Sequence, residues 1–256
     1  MRILGIYFGP QVVNVVDVIN KKPVNYIQIS YSVFSQGDTI DDKVPEDVKL
    51  VTMLKEELEK NHIQTKDAVF CLSGKDLIIR NFEMPIMPPQ EMAQAVNFEA
   101  NKYLPFKTQD LVSDFQCIPD KPLGKMHVLY VGIKKEVLDK YISFAVQLGL
   151  KLLAVEYAAF SVLRLLKLNN AKEKGIIGVL HIDVTKNDEL NLVMLDNGFT
   201  LFSRDISLIS GATGFLKDDE MVLDKLKREI RVSLDYYRNK LPFKKVNKIF
   251  LVTEQH

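Results

Sequence analysis

The sequence carries one order of predicted elements twice, and this duplication restricts the fold more than any other feature. Each copy consists of three strand-like runs, a helix and a further strand. In the first copy the strands are predicted over residues 2–8, 11–18 and 24–34, with Gly9-Pro10 at the first turn. Apolar residues at helical spacing predict a helix through residues 48–58, and a buried strand is predicted over residues 68–72.

The second copy repeats this order without obvious identity to the first. Its strands are predicted over residues 176–182, 189–195 and 199–206, and Asp196-Asn197-Gly198 between the last two is a strong hairpin signal. A long helix from about residue 219 to residue 240 and a strand over residues 246–252 complete it. The pattern predicts an α/β protein built from two similar halves.

Residues 77–156, between the copies, show a different order. Strand, helix, two strands, helix and strand are predicted there, and Gly149 suits the C-terminal cap of the second helix. This order is typical of a small α+β subdomain. We therefore predict three domains, formed by residues 1–76 with 157–172, by residues 77–156, and by residues 173–256.

Composition and charge exclude some functions. The 256 residues are 47% hydrophobic and 26% charged, with a net charge of +1, so no general attraction to nucleic acid is expected. No apolar run approaches the ~20 residues that cross a bilayer, and the N-terminus does not resemble a signal peptide. We expect a cytoplasmic chain that reaches a membrane only through partners.

The reactive side chains form no recognisable catalytic or metal-binding set. The four histidines lack the paired spacing of metal ligands. Cys71 and Cys117 lie in apolar strands and are predicted to be buried structural thiols. The basic residues 225–228, with Lys244 and Lys245, are interpreted as a solvated helix face, with contact to anionic lipid as an alternative.

The segment from Arg80 to Phe106 indicates which of the families with this duplicated order the chain resembles. It begins Arg-Asn-Phe-Glu-Met-Pro-Ile-Met-Pro-Pro-Gln-Glu and ends Asn-Phe-Glu-Ala-Asn-Lys-Tyr-Leu-Pro-Phe. A Pro-Met-Pro turn before a helix that ends in Glu, Tyr, Pro and Phe resembles the signature of PilM, in the FtsA and PilM branch of the actin-like ATPases. Residues 131–150, 156–159, 202–206 and 229–237 are similar to that family as well.

The resemblance implies an actin-like, duplicated ribonuclease-H-like fold with an inserted α+β subdomain and a fourth subdomain that is reduced or absent. It implies a cytoplasmic scaffold, peripheral to the bacterial inner membrane, in type IV pilus or related secretion assembly. Members of the family hold the N-terminal cytoplasmic peptide of a single-pass membrane protein, PilN, in a groove between the first actin subdomain and the inserted one. Self-association is a further expectation.

Actin-like folds place ATP between the two halves, where glycines allow close backbone approach and a carboxylate holds magnesium through water. The resemblance places six residues in these loops: Gly5, Gly9, Gln11, Asp183, Thr185 and Lys186. Tyr7 stands where the family pattern has an acid, Val184-Thr185 replaces a glycine, and no glycine pair follows residue 252. We therefore expect a degenerate nucleotide site with no ATP turnover and no cofactor or metal, while binding of ATP with magnesium stays an alternative.

The segment 80–106 also provides the predicted partner site. Its prolines restrict the backbone around methionine and aromatic side chains, which suits a groove for apolar peptide side chains. The predicted peptide-binding residues are Met84, Pro85, Met87, Glu99, Tyr103, Pro105 and Phe106. The same residue types suit a seam between two subdomains, and our hypothesis is that both hold, with the seam forming one wall of the groove.

Three functions agree with these observations. The first is a scaffold without ATPase activity, and the second is an ATP-binding, actin-like assembly ATPase of the same machinery. The third is the cytoplasmic domain of a secretion-system platform protein. A glycine pair after His256 would favour the second, and an apolar run of ~20 residues there would favour the third.

Overall fold

A computed structural model describes residues 1–9, 12–30, 46–104, 107–168, 175–183, 189–207 and 219–253. These residues form twelve strands and five α-helices. In chain order the elements are β1 (Arg2–Phe8), β2 (Val12–Ile19), β3 (Lys22–Ser30), α1 (Glu46–Lys60), β4 (Asp67–Leu72), β5 (Ile78–Pro85), α2 (Pro89–Ala100), β6 (Leu111–Asp120), β7 (Lys125–Lys134), α3 (Lys135–Gln147), β8 (Lys151–Tyr157), α4 (Ala158–Leu168), β9 (Ile176–Asp183), β10 (Glu189–Asp196), β11 (Phe199–Ser207), α5 (Asp219–Lys240) and β12 (Val246–Thr253).

The chain divides into two compact units. The first unit comprises Met1–Ser73 and Glu136–Ser161, and the second comprises Gly74–Lys135 and Val162–His256. Each unit has its own sheets, so each is described separately. None of the helices in the described part of the chain is both long and apolar enough to cross a bilayer.

The first unit contains a five-stranded sheet with the order β3-β2-β1-β4-β8. β1 is antiparallel to β2 and parallel to β4, which is in turn parallel to β8. Alternate residues of β1 are buried, and the ring of Phe8 lies 5.0 Å from that of Phe70 on β4 and 5.0 Å from that of Tyr141 on α3. Helix α3 therefore contributes to the core of the first sheet.

The second unit contains a four-stranded sheet with the order β11-β10-β9-β12. β9 is antiparallel to β10 and parallel to β12, as β1 is to β2 and β4. The two copies predicted from the sequence therefore share one strand order and one set of strand directions, which confirms the duplication. Residues Leu190 to Leu195 of β10 are all buried, because this strand lies in the interior of its sheet and both faces are covered.

The inserted segment forms a three-stranded antiparallel sheet, β5-β7-β6, with α2 packed against it. The sequence-based subdomain 77–156 also included α3 and β8, whose packing and pairing partners are β1 and β4 of the first sheet. A strand pattern shows that a strand forms but does not show which sheet it joins, since pairing partners are distant in the sequence.

The two cysteines are half-buried and not fully buried as predicted. Cys117 lies on β6, an edge strand, which leaves one side open, and partial burial raises the pKa of its thiol. Cys71 lies on β4, where its thiol donates to Glu156 at 3.4 Å and lies 3.5 Å from the hydroxyl of Ser161. Polar groups therefore lie next to the thiol of Cys71.

A buried carboxylate connects the first two strands to the segment before β4. Asp17 is fully buried on β2 and accepts hydrogen bonds from Arg2 Nη2 at 2.7 Å and from Thr65 Oγ1 at 2.6 Å. Burial by itself would raise the pKa of Asp17, but the hydrogen bonds from Arg2 and Thr65, with the charge of Arg2, outweigh it and lower the pKa. The ionised form of Asp17 therefore stabilises the folded state.

The lowered pKa predicts how stability changes in acid. The contribution of Asp17 is fully present above the ordinary carboxyl pKa of about 3.9 and is lost as the pH falls through the lower pKa of the folded state. Thr65→Val removes one of the donors, so we expect a smaller loss of unfolding free energy between about pH 5 and pH 2 than in the unsubstituted chain. Urea unfolding over this range measures the difference.

Thr65→Ser keeps the hydroxyl donor and serves as the control. It should retain the pH dependence of the unsubstituted chain, because the hydrogen bond to Asp17 is kept. The other carboxylates titrate equally in the unsubstituted chain and in both variants. An unchanged pH dependence in Thr65→Val would show that this hydrogen bond does not lower the pKa of Asp17.

Candidate partner-binding site

The inserted subdomain owes its rigidity to an apolar cluster between α2 and the three-stranded sheet. Helix α2 begins directly after Pro88 and has Pro89 in its first turn. The first N–H groups of a helix have no acceptor within the helix, so the N–H that proline lacks is not needed there. The buried members of the cluster are Phe82, Met84, Val96, Ala100, Met126, Val128 and Tyr130. The helix therefore packs on the sheet through these side chains.

Met84 and Met87 differ in accessibility. Met84 is only 6% exposed and belongs to the apolar cluster, so its side chain supports the sheet. Met87 is partly buried at the margin of the cluster, and Pro85 beside it is exposed. Of these three predicted peptide-binding residues, Pro85 and Met87 are the ones that a partner reaches without opening the core.

Tyr103 presents an exposed aromatic ring in a fixed orientation. Its ring stacks on Phe82 with the centroids 5.4 Å apart and 17° between the planes. Its hydroxyl donates to Glu99 Oε1 at 3.3 Å, and its backbone carbonyl accepts a hydrogen bond from Arg80 Nε at 3.2 Å. The residue is still 48% exposed. One contact to the ring, one to the hydroxyl and one to the backbone therefore hold Tyr103 while about half of the residue stays accessible.

Glu99 and Lys102 extend this surface along the helix end. Lys102 forms an ion pair with Glu99 at 2.7 Å, and its ammonium lies 5.7 Å from the ring centroid of Phe98. Phe98 is 70% exposed. Two aromatic side chains and an ion pair thus lie within one and a half helical turns.

A cavity of about 430 Å³ adjoins Tyr103 inside the second unit. It is lined by Asn81, Phe82, Glu83, Tyr103, Lys125, His127, Phe199, Leu201, Lys240 and Leu241. These residues come from the inserted sheet, from the segment after α2, from β11, and from the end of α5 and the residue after it. The cavity therefore lies where the inserted sheet meets the second half of the fold.

Two hydrogen bonds, from Asn81 and from Lys240, join the elements that line this cavity. Asn81 Nδ2 donates to the carbonyl of Thr200 at 2.7 Å, and Lys240 Nζ donates to the carbonyl of Asn81 at 2.9 Å. Burial of the ammonium lowers the pKa of Lys240, with Glu83 opposing and Arg80 adding to this shift. The sequence pattern did not single out either residue; an asparagine within a predicted strand was the available signal.

His127 lies between two carboxylates at the wall shared with a second cavity of about 400 Å³. Its Nδ1 is 3.4 Å from Glu83 Oε1, and its Nε2 is 3.8 Å from Asp120 Oδ2. Nε2 is buried and has no hydrogen-bond partner among the described residues. The wall between the two cavities therefore contains a buried ring nitrogen with no hydrogen bond to the described residues.

Arg204 links two of the segments that resemble the PilM family. Arg204 on β11 donates from Nη1 to Ser233 Oγ at 3.0 Å and from Nη2 to Glu229 Oε2 at 3.2 Å. Ser233 in turn donates to the carbonyl of Glu229 at 2.7 Å. This network attaches α5 to the second sheet, so these residues have a structural role.

The predicted nucleotide-site residues are divided between the two units. Gly5 lies on β1, and Gly9 closes the turn after it by donating its N–H to the carbonyl of Val12 at 3.0 Å. Asp183 ends β9 in the second unit and is 5% exposed. The other predicted nucleotide and peptide contacts lie outside the described residues: Gln11, Thr185, Lys186, Pro105 and Phe106.

Comparison with known proteins identifies both family and fold. The family model for type IV pilus assembly protein PilM matches residues 5–212. Among solved structures, the chain is similar to one titled PilM-PilN type IV pilus biogenesis complex, with 24% identity, a TM-score of 0.79, and coverage of 99% of this chain and 81% of that chain. A search of curated proteins finds no match.

Two further structures share the fold at lower identity. The cytoplasmic domain of EpsL, an inner-membrane component of the type II secretion system of Vibrio cholerae, is 13% identical with a TM-score of 0.53, over 81% of this chain and 72% of that chain. A protein of unknown function with an actin-like ATPase fold from Bacteroides thetaiotaomicron is 11% identical with a TM-score of 0.56, over 99% and 82%. The predicted actin-like fold is confirmed.

Asn81 provides a test of how the inserted sheet is attached to β11. Asn81→Ala removes the donor to Thr200, and we expect a loss of about 1 kcal/mol of unfolding free energy, since a half-buried hydrogen bond contributes about that much. Faster amide exchange should be confined to β5 and β11. Hydrogen exchange with mass spectrometry reports both effects.

Gln116→Ala removes an exposed amide from β6 of the same sheet and is the matched control. It should leave stability and exchange unchanged. Equal effects of the two substitutions would contradict a specific role for Asn81.

Proposed function

Because the chain belongs to the PilM family of type IV pilus assembly proteins, we propose that it is an actin-fold scaffold that holds a short cytoplasmic peptide of a membrane partner. The observation that carries this proposal is the exposed ring of Tyr103, which Phe82, Glu99 and Arg80 hold in place. The chain would work at the cytoplasmic face of the inner membrane, where such a partner presents its N-terminal segment.

The partner proposed is a PilN-like membrane protein. The solved structure that is 24% identical in sequence to this chain is that of a complex of PilM with PilN. The complex with PilN is a property of that other protein, and the family match extends the hypothesis to this chain.

Rigid aromatic residues suit this function energetically. A peptide loses conformational freedom on binding, and a surface that is already ordered adds little further cost. Tyrosine buries a large area with few rotatable bonds, so it is common among the residues that contribute most to an interface. Tyr103 has this character, and Met87 beside the exposed Pro85 offers an adaptable neighbouring contact.

We further propose that the chain does not hydrolyse ATP. Tyr7 on β1 replaces an acid of the family pattern, so a carboxylate that would hold magnesium through water is absent at that position. The scaffold function then depends on the shape of the fold and not on a nucleotide cycle. Asp183 supports the alternative of an ATP-binding assembly protein, since this carboxylate is retained at the end of β9.

Tyr103→Ala tests the peptide site. The affinity for a synthetic peptide from the N-terminal cytoplasmic segment of the PilN-like partner should fall by about 30-fold, the loss of about 2 kcal/mol that is usual for a central interface tyrosine. Fluorescence anisotropy of a labelled peptide measures the affinity. Tyr103→Phe keeps the ring and should bind nearly as well as the unsubstituted chain.

Tyr26→Ala is the control for general effects of removing an exposed tyrosine. Tyr26 is 61% exposed on β3 of the first unit. Its substitution should leave peptide affinity unchanged. Unchanged affinity in Tyr103→Ala, with intact circular dichroism, would rule out Tyr103 as a peptide contact.

Calorimetric titration with Mg-ATP tests the nucleotide hypothesis. We expect no saturable heat in the micromolar range and no phosphate release, because the position of Tyr7 lacks a carboxylate. Micromolar binding that disappears in Asp183→Asn would overturn this hypothesis and favour the assembly ATPase.

A further inference from the structure

Two loops of the second unit each have an exposed apolar residue at the tip, and each tip has lysines before and after it in the sequence. In the turn between β6 and β7, Leu123 is 65% exposed and lies between Lys121 and Lys125. In the loop between α5 and β12, Phe243 is 96% exposed and is followed by Lys244 and Lys245. A phenylalanine so fully exposed is unusual in a free protein and is typical of a surface that a partner or a membrane covers.

The two loops lie side by side. Lys121 and Pro122 of the first loop and Lys244 of the second line the same cavity of about 400 Å³. Lys125 and Lys240, at the other ends of these loops, both line the neighbouring cavity of about 430 Å³. We call the two tips and the five lysines 121, 125, 240, 244 and 245 the double-loop patch.

Hydrogen bonds hold both tips in ordered loops. Buried Tyr237 donates its hydroxyl to the carbonyl of Lys244 at 3.0 Å, and burial with the charge of Asp196 raises the pKa of Tyr237 to about 12. Gly124 adopts φ +62°, and its N–H donates to the carbonyl of Lys121 at 3.1 Å. The apolar tips are therefore presented by fixed backbone.

The patch is locally basic although the chain as a whole carries only +1. Four lysines and three carboxylates (Glu83, Asp120 and Asp196) line the two cavities. Lys244 is paired with Asp196, and Lys125 is 3.3 Å from Glu83. Lys121 and Lys245 form no ion pair within the described residues, so their charges are available to an anionic partner.

We propose that the double-loop patch is a contact surface for a bilayer that contains anionic lipid. Leu123 and Phe243 enter the interfacial region, and Lys121 and Lys245 contact headgroup phosphates, which is how basic surfaces with apolar residues bind membranes. This contact goes beyond the proposed peptide binding and does not depend on it. It would add a direct attachment to the one that the partner supplies.

The geometry favours a lipid surface over an acidic peptide. A peptide would occupy the cavities, yet neither Leu123 nor Phe243 lines either of them. Two separate apolar tips on neighbouring loops fit a flat, deformable surface better than a single extended chain. Burial of the two tips in lipid also removes the apolar area that water contacts in the free protein.

Vesicle co-sedimentation of the 256-residue chain without any partner tests the proposal. The chain should bind vesicles of phosphatidylglycerol and phosphatidylcholine, should not bind phosphatidylcholine alone, and should be released by salt. Lys121→Glu with Lys245→Glu should weaken binding by at least about 25-fold, about fivefold (about 1 kcal/mol) for each lysine. Leu123→Ser with Phe243→Ser should weaken it by at least about tenfold while the salt dependence stays.

Matched controls come from the first unit. Lys22→Glu with Lys55→Glu changes the net charge equally at exposed positions, and Val146→Ser alters a side chain that is 71% exposed. Thermal unfolding confirms that each variant is folded. Absence of binding to anionic vesicles overturns the proposal, even where an acidic peptide binds the patch. So does equal weakening by the control substitutions. Tyr103→Ala should leave vesicle binding intact, which separates this surface from the proposed peptide site.

Discussion

Parallel pairing of the first and fourth strands is the constraint on which both halves of the fold depend. β1 pairs with β4 and β9 pairs with β12 in this way. Parallel neighbours cannot be joined by a tight turn, so each connection must cross the sheet and carries a helix, α1 in one half and α5 in the other. The same rule applies between β4 and β8, and the inserted sheet and α3 lie within that long connection.

The inserted sheet gives the candidate peptide site its order. Helix α2 lies on an apolar cluster, and Tyr103 directly after the helix is held by a ring contact and two hydrogen bonds. Each contact is weak, but together they restrict a ring that stays half exposed. Such pre-ordering reduces the entropy that a partner must overcome.

Charge in the second unit acts locally. The ammonium of Lys240 lies close to the carbonyl of Asn81, and its burial lowers its pKa. His127 lies between Glu83 and Asp120, and further lysines occupy the two loops beside them. A net charge of +1 averages over these groups, so whole-chain charge predicts little about what any one surface binds.

The sequence by itself determined the duplicated order of elements, the turns at Gly9 and Asn197-Gly198, and the family through residues 80–106. These signals depend on neighbours along the chain, and periodicity and turn chemistry report such neighbours directly. Only the tertiary structure decided that β8 joins the first sheet, that Met84 is buried while Tyr103 is exposed, and that Leu123 and Phe243 lie on neighbouring loops. Those facts depend on which distant segments meet, and contacts between residues 120 positions apart leave no periodic trace in a single sequence.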